Sequence, residues 1–380
     1  MTSIVFVQII STHYTKRLFE ILSKYQSIQY LFFSKGDKWY WQSNHGTQEG
    51  DFNYLYVTPN RFLGIEINFN FIRELLKSNY EIYLTGVDGK LEMPITFLIS
   101  KIRGKPFIIW TGIWTRLGTR FHKTIFPILK FIYQKSDAIV VYGTHVKRYL
   151  ISEGINAEKI FVANHSIDNS QYNNPVSETE ILKIRNKYKI DGKSKTILYL
   201  GRLEEIKGVE FLIKALIKLN IDFLCIIAGT GNDEEKLKSL VIQLKLEEKV
   251  VFTGYIPITE TRFFYAISDV YVLPSITTIS GKETWGLTIN EALNQSIPVI
   301  ATNAVGAAAG GLVKHGWNGL IVNEQNPVAL AKAIETILDP KNYESFKINA
   351  GESIKNWTQE EMSKGFLQAF DYVQRGMVKK

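Results

Sequence analysis

The sequence predicts an α/β protein built as two doubly wound domains, each a parallel sheet with helices on both faces. Three observations carry this. Short β-like apolar runs alternate with runs of helical length twice over. A polar stretch, Asp168 to Val176, separates the two series. In the second series the glycine-bearing turns follow the β-like runs, where an open parallel sheet places its ligand. At 380 residues, with 45% hydrophobic and 22% charged residues, the chain is also longer than one core usually serves.

In the first half, Ser3 to Ile10, Ile28 to Phe33, Tyr54 to Val57, Tyr80 to Thr85, Phe107 to Trp110, Ala138 to Tyr142 and Ile160 to Ala163 read as strands. Several are nearly continuously apolar, as strands covered on both faces must be. Between them, His13 to Lys24, Phe62 to Lys77, Met93 to Arg103, Arg120 to Gln134 and Thr144 to Glu153 have helical length and spacing. In the second half the expected strands are Thr196 to Leu200, Phe223 to Ala228, Val250 to Phe252, Val270 to Leu273, Ile297 to Ala301 and Gly319 to Val322. A helix is expected over Val209 to Leu219, and another near Asp233, with that side chain as its N-cap. The domains are expected at 1–175 and 176–358, followed by a helix within 359–380. No internal repeat or low-complexity tract interrupts either half.

Charge divides unevenly. Residues 1–187 hold 23 Lys/Arg against 15 Asp/Glu, and residues 188–380 hold 22 against 22, so the net +8 lies wholly in the first half. Residues 101–150 alone carry ten basic side chains against Asp137. The single cysteine, Cys225, sits in the apolar run 223–227 and reads as a buried strand thiol in a reducing compartment. The opening Met-Thr-Ser-Ile-Val-Phe-Val-Gln-Ile-Ile reads as a first strand and not as a signal peptide. No apolar run approaches the roughly 18 residues that a membrane span requires. A cytoplasmic location is the expectation.

The stretch Glu283-Thr-Trp-Gly-Leu-Thr-Ile-Asn-Glu291 is the most informative. A helix beginning near Gly286 puts Glu291 in its second turn and leaves Glu283 on the entering loop. The helix start offers free N–H groups and a positive dipole end to a phosphate, and the two carboxylates offer acceptors to sugar hydroxyls. Taken alone, such a pair is more often a solvated loop Glu and a helix-surface Glu. Arg202 and Lys207 follow a strand and supply a forked and a point-like cation, as a diphosphate requires; singly, each is more often a solvated side chain. Gly229-Thr230-Gly231 permits close backbone approach, though a lone Gly-x-Gly is about as often a tight turn. Trp285 is open to two readings, as a wall of a sugar pocket or as packing.

The motifs in order resemble the GT-B glycosyltransferases of family 4. They are Gly201-Arg202 with Lys207-Gly208, Gly229-Thr230-Gly231, Phe252-Thr253-Gly254, Leu273-Pro274-Ser275, Glu283, Gly286-Leu287, Glu291-Ala292, Pro298-Val299-Ile300-Ala301 and Gly316-Trp317-Asn318-Gly319. The resemblance covers the second half specifically and the first in outline. It implies two Rossmann-like domains facing a central cleft, with transfer that retains the anomeric configuration and needs no metal. It further implies that Arg202 and Lys207 hold the nucleotide diphosphate, with Gly201, Gly229 and Gly231 in the turns around it. The Gly286 and Leu287 N–H groups would cap the diphosphate, Glu291 would bind the ribose and Glu283 the donor sugar. The base would lie at Gly254 and Tyr255. The chain has no D-x-D motif for a divalent ion. A UDP-sugar is the expected donor, on family frequency, and no other cofactor is expected.

The first half departs from that family in two places. Ile9-Ile10-Ser11-Thr12-His13-Tyr14 stands where many relatives have a glycine-rich turn, and Trp110-Thr111-Gly112-Ile113-Trp114 lacks the His that many place there. His13, Trp110, Thr111, Gly112 and His165 are the candidates for acceptor contacts, and His122 and His145 are further candidates for polar contacts, although a satisfied structural imidazole is the commoner fate of a single His. Phe121, Ile125, Ile128, Leu129 and Ile132 recur at helical spacing among Arg116, Arg120, Lys123, Lys130 and Lys135. That pattern suits an interfacial helix on an anionic membrane, or equally a helix packed into its own domain. A lipid-linked glycan acceptor for surface polysaccharide (O-antigen, capsule or exopolysaccharide) follows from the first reading. A nucleic-acid partner is disfavoured, since the basic cluster carries no recognisable motif. Two alternatives keep the fold and lose the transfer: a sugar-nucleotide epimerase or phosphorylase, and a non-catalytic binding protein.

Overall fold

A computed structural model describes residues 2–34, 49–57, 60–62, 65–67, 69–87, 91–188, 190 and 194–378. The chain divides into two compact units. Unit 1 comprises Met1–Gly112, Phe121–Ser166 and Gln359–Lys380; unit 2 comprises Ile113–Arg120 and Ile167–Thr358.

Unit 1 runs β1 (Ser3–Gln8), α1 (Lys16–Tyr25), β2 (Ser27–Phe32), β3 (Asn53–Tyr56), β4 (Asn60–Phe62), β5 (Ile65–Ile67), α2 (Phe69–Lys77), β6 (Ile82–Gly86), α3 (Glu92–Ile102), β7 (Phe107–Thr111), α4 (Arg120–Lys135), β8 (Ala138–Val141), α5 (Thr144–Ser152) and β9 (Ile160–Val162). Seven strands form one parallel sheet in the order β3-β2-β1-β6-β7-β8-β9. The helix expected over Phe62 to Lys77 is shorter. Asn60–Phe62 and Ile65–Ile67 pair as an antiparallel hairpin, and the helix begins only at Phe69. Leu63, Gly64 and Asn68 of that expectation lie outside the described residues. The alternation Ile65-Glu66-Ile67 has the period of a strand, which overrides the apolar count.

The core of unit 1 is aromatic. Phe6 meets Phe19 at 5.5 Å and Trp110 at 5.9 Å, and Trp110 meets Phe366 at 5.4 Å. Phe366 belongs to the last helix, Gln359–Val378, which buries Met362, Phe366, Ala369, Phe370 and Val373 against this sheet. Gly365 permits that approach, because a Cβ there would overlap the Val162 carbonyl.

Unit 2 runs α6 (Glu178–Tyr188), β10 (Lys195–Leu200), α7 (Val209–Leu216), β11 (Phe223–Ala228), α8 (Glu234–Gln243), β12 (Val250–Gly254), α9 (Ile258–Ala266), β13 (Val270–Leu273), α10 (Leu287–Asn294), β14 (Val299–Thr302), α11 (Gly306–Ala309), β15 (Gly319–Val322), α12 (Pro327–Leu338) and α13 (Pro340–Ile354). Its six strands are parallel in the order β12-β11-β10-β13-β14-β15. The order reverses between β10 and β13, which makes the ends of those strands a topological switch point. Asp233 precedes α8 but makes no side-chain cap; Glu234 and Glu235 in the first turn complement the dipole instead.

The unit boundary falls at Ser166/Ile167, ahead of the expected 175. Residues 168–176 are pinned to unit 2 and are not slack. Asp168 accepts from Ser170 N at 3.1 Å and caps a short 3-10 turn. Asn169 Nδ2 donates to the Ile354 and Trp357 carbonyls, and Gln295 Nε2 donates to those of Tyr172 and Asn174.

Candidate active site

The turns that leave β10, β11 and β12 are laced together by main chain. Gly201 N donates to Ala228 O at 2.9 Å, Leu203 N to Thr230 O at 2.9 Å, and Gly229 N to Gly254 O at 2.8 Å. Side chains have no room between them: a Cβ on Gly229 would overlap the Gly201 carbonyl, and one on Gly231 the Leu203 carbonyl. Gly208 closes the turn with φ 63°, and a Cβ there would overlap Pro274 O beyond β13. The two strands at the switch point are thus brought together through backbone, leaving an edge built of main chain.

Lys207 and Glu283 meet on that edge in an ion pair between Nζ and Oε2. Their side chains are only 14% and 13% exposed. Ser275 Oγ donates to the same carboxylate oxygen at 3.4 Å. The loop from β13 is braced by Glu324, which accepts from Thr277 N and, at 2.6 Å, from Thr277 Oγ1. Arg202 stands apart from this group. It pairs with Glu204 at 2.8 Å, and its side chain is 59% exposed.

Helix α10 starts as the sequence suggests, with Gly286 as N-cap at φ 93°. Its first N–H groups, at Gly286 and Leu287, have no acceptor among the described residues. Glu291 lies in the second turn but is buried, and accepts from Tyr265 OH at 2.9 Å. Tyr172 is also beside it: burial first, and then the Glu291 charge, raise the Tyr172 phenol above its ordinary range. The Tyr271 hydroxyl, kept protonated by burial, lies 2.6 Å from Thr288 Oγ1 and 3.2 Å from Leu200 O, joining α10 to the end of β10. Tyr255 follows the β12 turn and is half-buried. Trp285 is packing and no pocket wall: it is buried, donates to Asn290 Oδ1 at 2.9 Å and meets Trp357 at 5.6 Å.

Two cavities lie at the opposite ends of the strands. One of about 810 Å³ in unit 1 is lined by Lys101, Lys105, Asp137 and Tyr372, and one of about 470 Å³ in unit 2 by Arg185, Lys195, Asp269 and Tyr343. Both open where strands begin, away from the glycine turns, so the carboxyl edge of unit 2 is the better candidate. Cys225 is buried in β11, and burial pushes its thiol up to about 12, which makes it a poor nucleophile.

In unit 1 the acceptor candidates gather at the carboxyl ends of the strands. His165 is buried and stacked on Tyr142 at 4.2 Å, with Trp110 at 6.0 Å. Burial lowers its imidazole to about 3, so it is neutral near pH 7. Thr111 Oγ1 takes the Tyr133 hydroxyl at 3.3 Å, a Cβ on Gly112 would overlap the Tyr142 ring, and His13 lies against Tyr14 at 3.7 Å. His145 is buried in α5.

The basic segment splits. Arg116 and Arg120 fall in unit 2, whereas Lys123, Lys130 and Lys135 lie on α4 in unit 1. Within α4, Ile132 and Tyr133 are buried while Phe121, Ile128 and Phe131 are exposed. Lys130 approaches Glu153 at 3.8 Å, and Lys135 lies 6.0 Å from the Phe131 ring centre. Helix α3, joined through Phe97 and Phe131 at 6.3 Å, adds exposed Leu98 and Ile102. Among the described residues no helix is long and apolar enough to cross a membrane.

The sequence reading gave no site role to Ser275, Glu324, Tyr265, Tyr172 or Trp114. Trp114 Nε1 donates to Glu283 O at 3.0 Å across 169 residues, a separation that carries no local signal.

Two parallel six- and seven-stranded units with this order define the GT-B fold, and solved structures agree. HepE from Anabaena, determined in complex with UDP-glucose, is similar over 99% of this chain and 100% of its own, with a TM-score of 0.77 at 18% identity. The profile of the family "Glycosyl transferases group 1" matches residues 180–353. An uncharacterized glycosyltransferase of Haemophilus influenzae is 31% identical over 273 residues, 70% of this chain and 70% of that protein. Another, from Methanocaldococcus jannaschii, is 28% identical over 194 residues; the match spans 50% of this chain and about half, 48%, of the relative. The chain belongs to the group 1 glycosyltransferases.

Proposed function

We propose that the protein moves a hexosyl group from a UDP-sugar to a glycan acceptor with retention of anomeric configuration and without a metal ion. The observation that carries this reading is the Lys207–Glu283 pair, shielded from water at the switch point beside free amides of α10. Lys207 and the more exposed Arg202 neutralise charge as it develops on the departing diphosphate. The amides of Gly286 and Leu287 cap the same group. Glu283 receives hydroxyls of the donor sugar, Glu291 those of the ribose, and the base rests by Gly254 and Tyr255. The diphosphate oxygen that leaves takes the acceptor's proton on the face it vacates. HepE, bound to UDP-glucose, supports the choice of base. The test is hydrolysis of a panel of UDP- and GDP-sugars, followed by NMR of the anomer first released. Hydrolysis of a UDP-sugar with retention is expected; inversion overturns the mechanism.

The acceptor we assign is a lipid-linked glycan of surface polysaccharide synthesis, met at the cytoplasmic face of a membrane. The exposed apolar side chains of α3 and α4, with Lys123, Lys130 and Lys135 beside them, support that assignment. Each basic side chain near anionic lipid contributes on the order of 1 kcal/mol. Co-sedimentation with phosphatidylglycerol vesicles at low salt checks it, and no binding under those conditions removes the membrane role.

A further inference from the structure

Residues 113–120 belong to unit 2, and they lie on the loop that carries Glu283. Gly118 N donates to Ile279 O at 2.8 Å. A Cβ on Gly281 would come within 2.8 Å of Leu117, and one on Gly118 within 3.1 Å of Ile279, so the two segments meet at close packing distance. At the end of this contact stands Trp114. Its ring lies 4.6 Å from Lys282 Nζ, and its indole N–H donates to Glu283 O at 3.0 Å.

That carbonyl has a second donor. Gly306 N also reaches it, at 3.0 Å, as part of a bridge between Glu283 and Val305. A carbonyl oxygen has two acceptor positions, and here both are filled. Two donors on one oxygen hold the 283–284 peptide plane, and with it the Cα from which the Glu283 side chain leaves the backbone. The carboxylate itself is held by Lys207 and Ser275. We propose that Trp114 is a positioning residue that aims the Glu283 carboxylate at the donor sugar, acting through the main chain of Glu283 and through Lys282. This rests on the reading of Glu283 as a donor-sugar contact.

The test compares Trp114→Phe with Glu283→Gln. Phe keeps a ring over Lys282 and removes the N–H; where that variant folds poorly, the benzothienyl isostere of Trp, which puts sulfur in place of the N–H, serves instead. The probes are the UDP- or GDP-sugar hydrolysed fastest in the panel and the matching nucleoside diphosphate alone. Glu283→Gln is expected to lower kcat about 100-fold. Trp114→Phe is expected to lower kcat fivefold to tenfold, the size of one lost hydrogen bond, with the nucleoside diphosphate bound as tightly as before. Wild-type turnover by Glu283→Gln ends both the reading of Glu283 and the role of Trp114. If Glu283→Gln is impaired while Trp114→Phe turns over normally, or Trp114→Phe weakens diphosphate binding as much as it lowers kcat, the positioning role alone is overturned.

Discussion

The turn after β1 in unit 1 and the turn after β10 in unit 2 occupy the same place in their sheets, each at the strand where the order reverses. They are built from opposite materials. After β10, glycines bring main chain against main chain, and the edge is backbone. After β1, Ile10 and Ser11 are buried and His13 lies against Tyr14 with its ring tilted, while Thr15 Oγ1 accepts from Thr12 N at 2.9 Å. A backbone edge keeps its shape whatever side chains the rest of the chain carries, whereas a side-chain edge is recut by each substitution. Under the proposed function, this assigns the fixed half of the substrate pair to unit 2 and the variable half to unit 1.

The largest test of that contrast is Lys207→Ala. It should lower kcat for donor hydrolysis by about 100- to 1,000-fold, roughly 3–4 kcal/mol of transition-state stabilisation. Arg202→Ala, at an exposed site, should lose only about tenfold, and His13→Ala in the unit 1 turn should leave donor hydrolysis within about threefold. Initial rates on one UDP-sugar give all three. Equal losses at Lys207 and His13 would erase the distinction.

Stability gives the next contrast. Gly208→Ala forces a Cβ against Pro274 O at a positive φ and should cost about 2–3 kcal/mol in urea unfolding. Ser11→Ala, in the counterpart turn, should cost less than about 1 kcal/mol. Tyr265→Phe removes a donor from buried Glu291 and should lose about 1–3 kcal/mol, with weaker binding of the nucleoside diphosphate in calorimetry. If binding is untouched, Glu291 does not face the ribose.

The last contrast is in unit 1 and appears only in acid. His165 is lowered from 6.5 to about 3 by burial. As pH falls below about 6.5 the unfolded chain takes a proton that the folded chain refuses, so stability is full above that value and declines toward pH 3. The slope approaches about 1.4 kcal/mol per pH unit. His165→Phe, which keeps a ring against Tyr142, should flatten that part of the curve in a series of urea titrations from pH 7 to 4.

Most strands were legible because double burial leaves near-continuous apolar runs, as in 107–111 and 223–228. The start of α10 and the proximity of Lys207 to Glu283 were legible through motif order. Helix α6 was missed although it carried a sign: Ser177 and Glu180 form a reciprocal cap, with Ser177 N donating to Glu180 Oε2 at 2.9 Å and Glu180 N to Ser177 Oγ at 3.3 Å. Helix α12 had one too, in Asn326-Pro327, where Asn326 accepts from Ala329 N at 3.0 Å. The exposure of Arg202 and the company that Glu291 keeps were not legible, since both depend on side chains distant in sequence. The Trp114 contact is of the same kind.

The last helix fills the core of the unit that contains the first strand, and this orders events during synthesis. Unit 2 is complete once Thr358 has left the ribosome, while Phe6, Phe19 and Trp110 still lack Phe366 and Phe370. Unit 1 therefore closes only after unit 2, and until residues 359–378 emerge its apolar sheet face lacks the side chains that cover it.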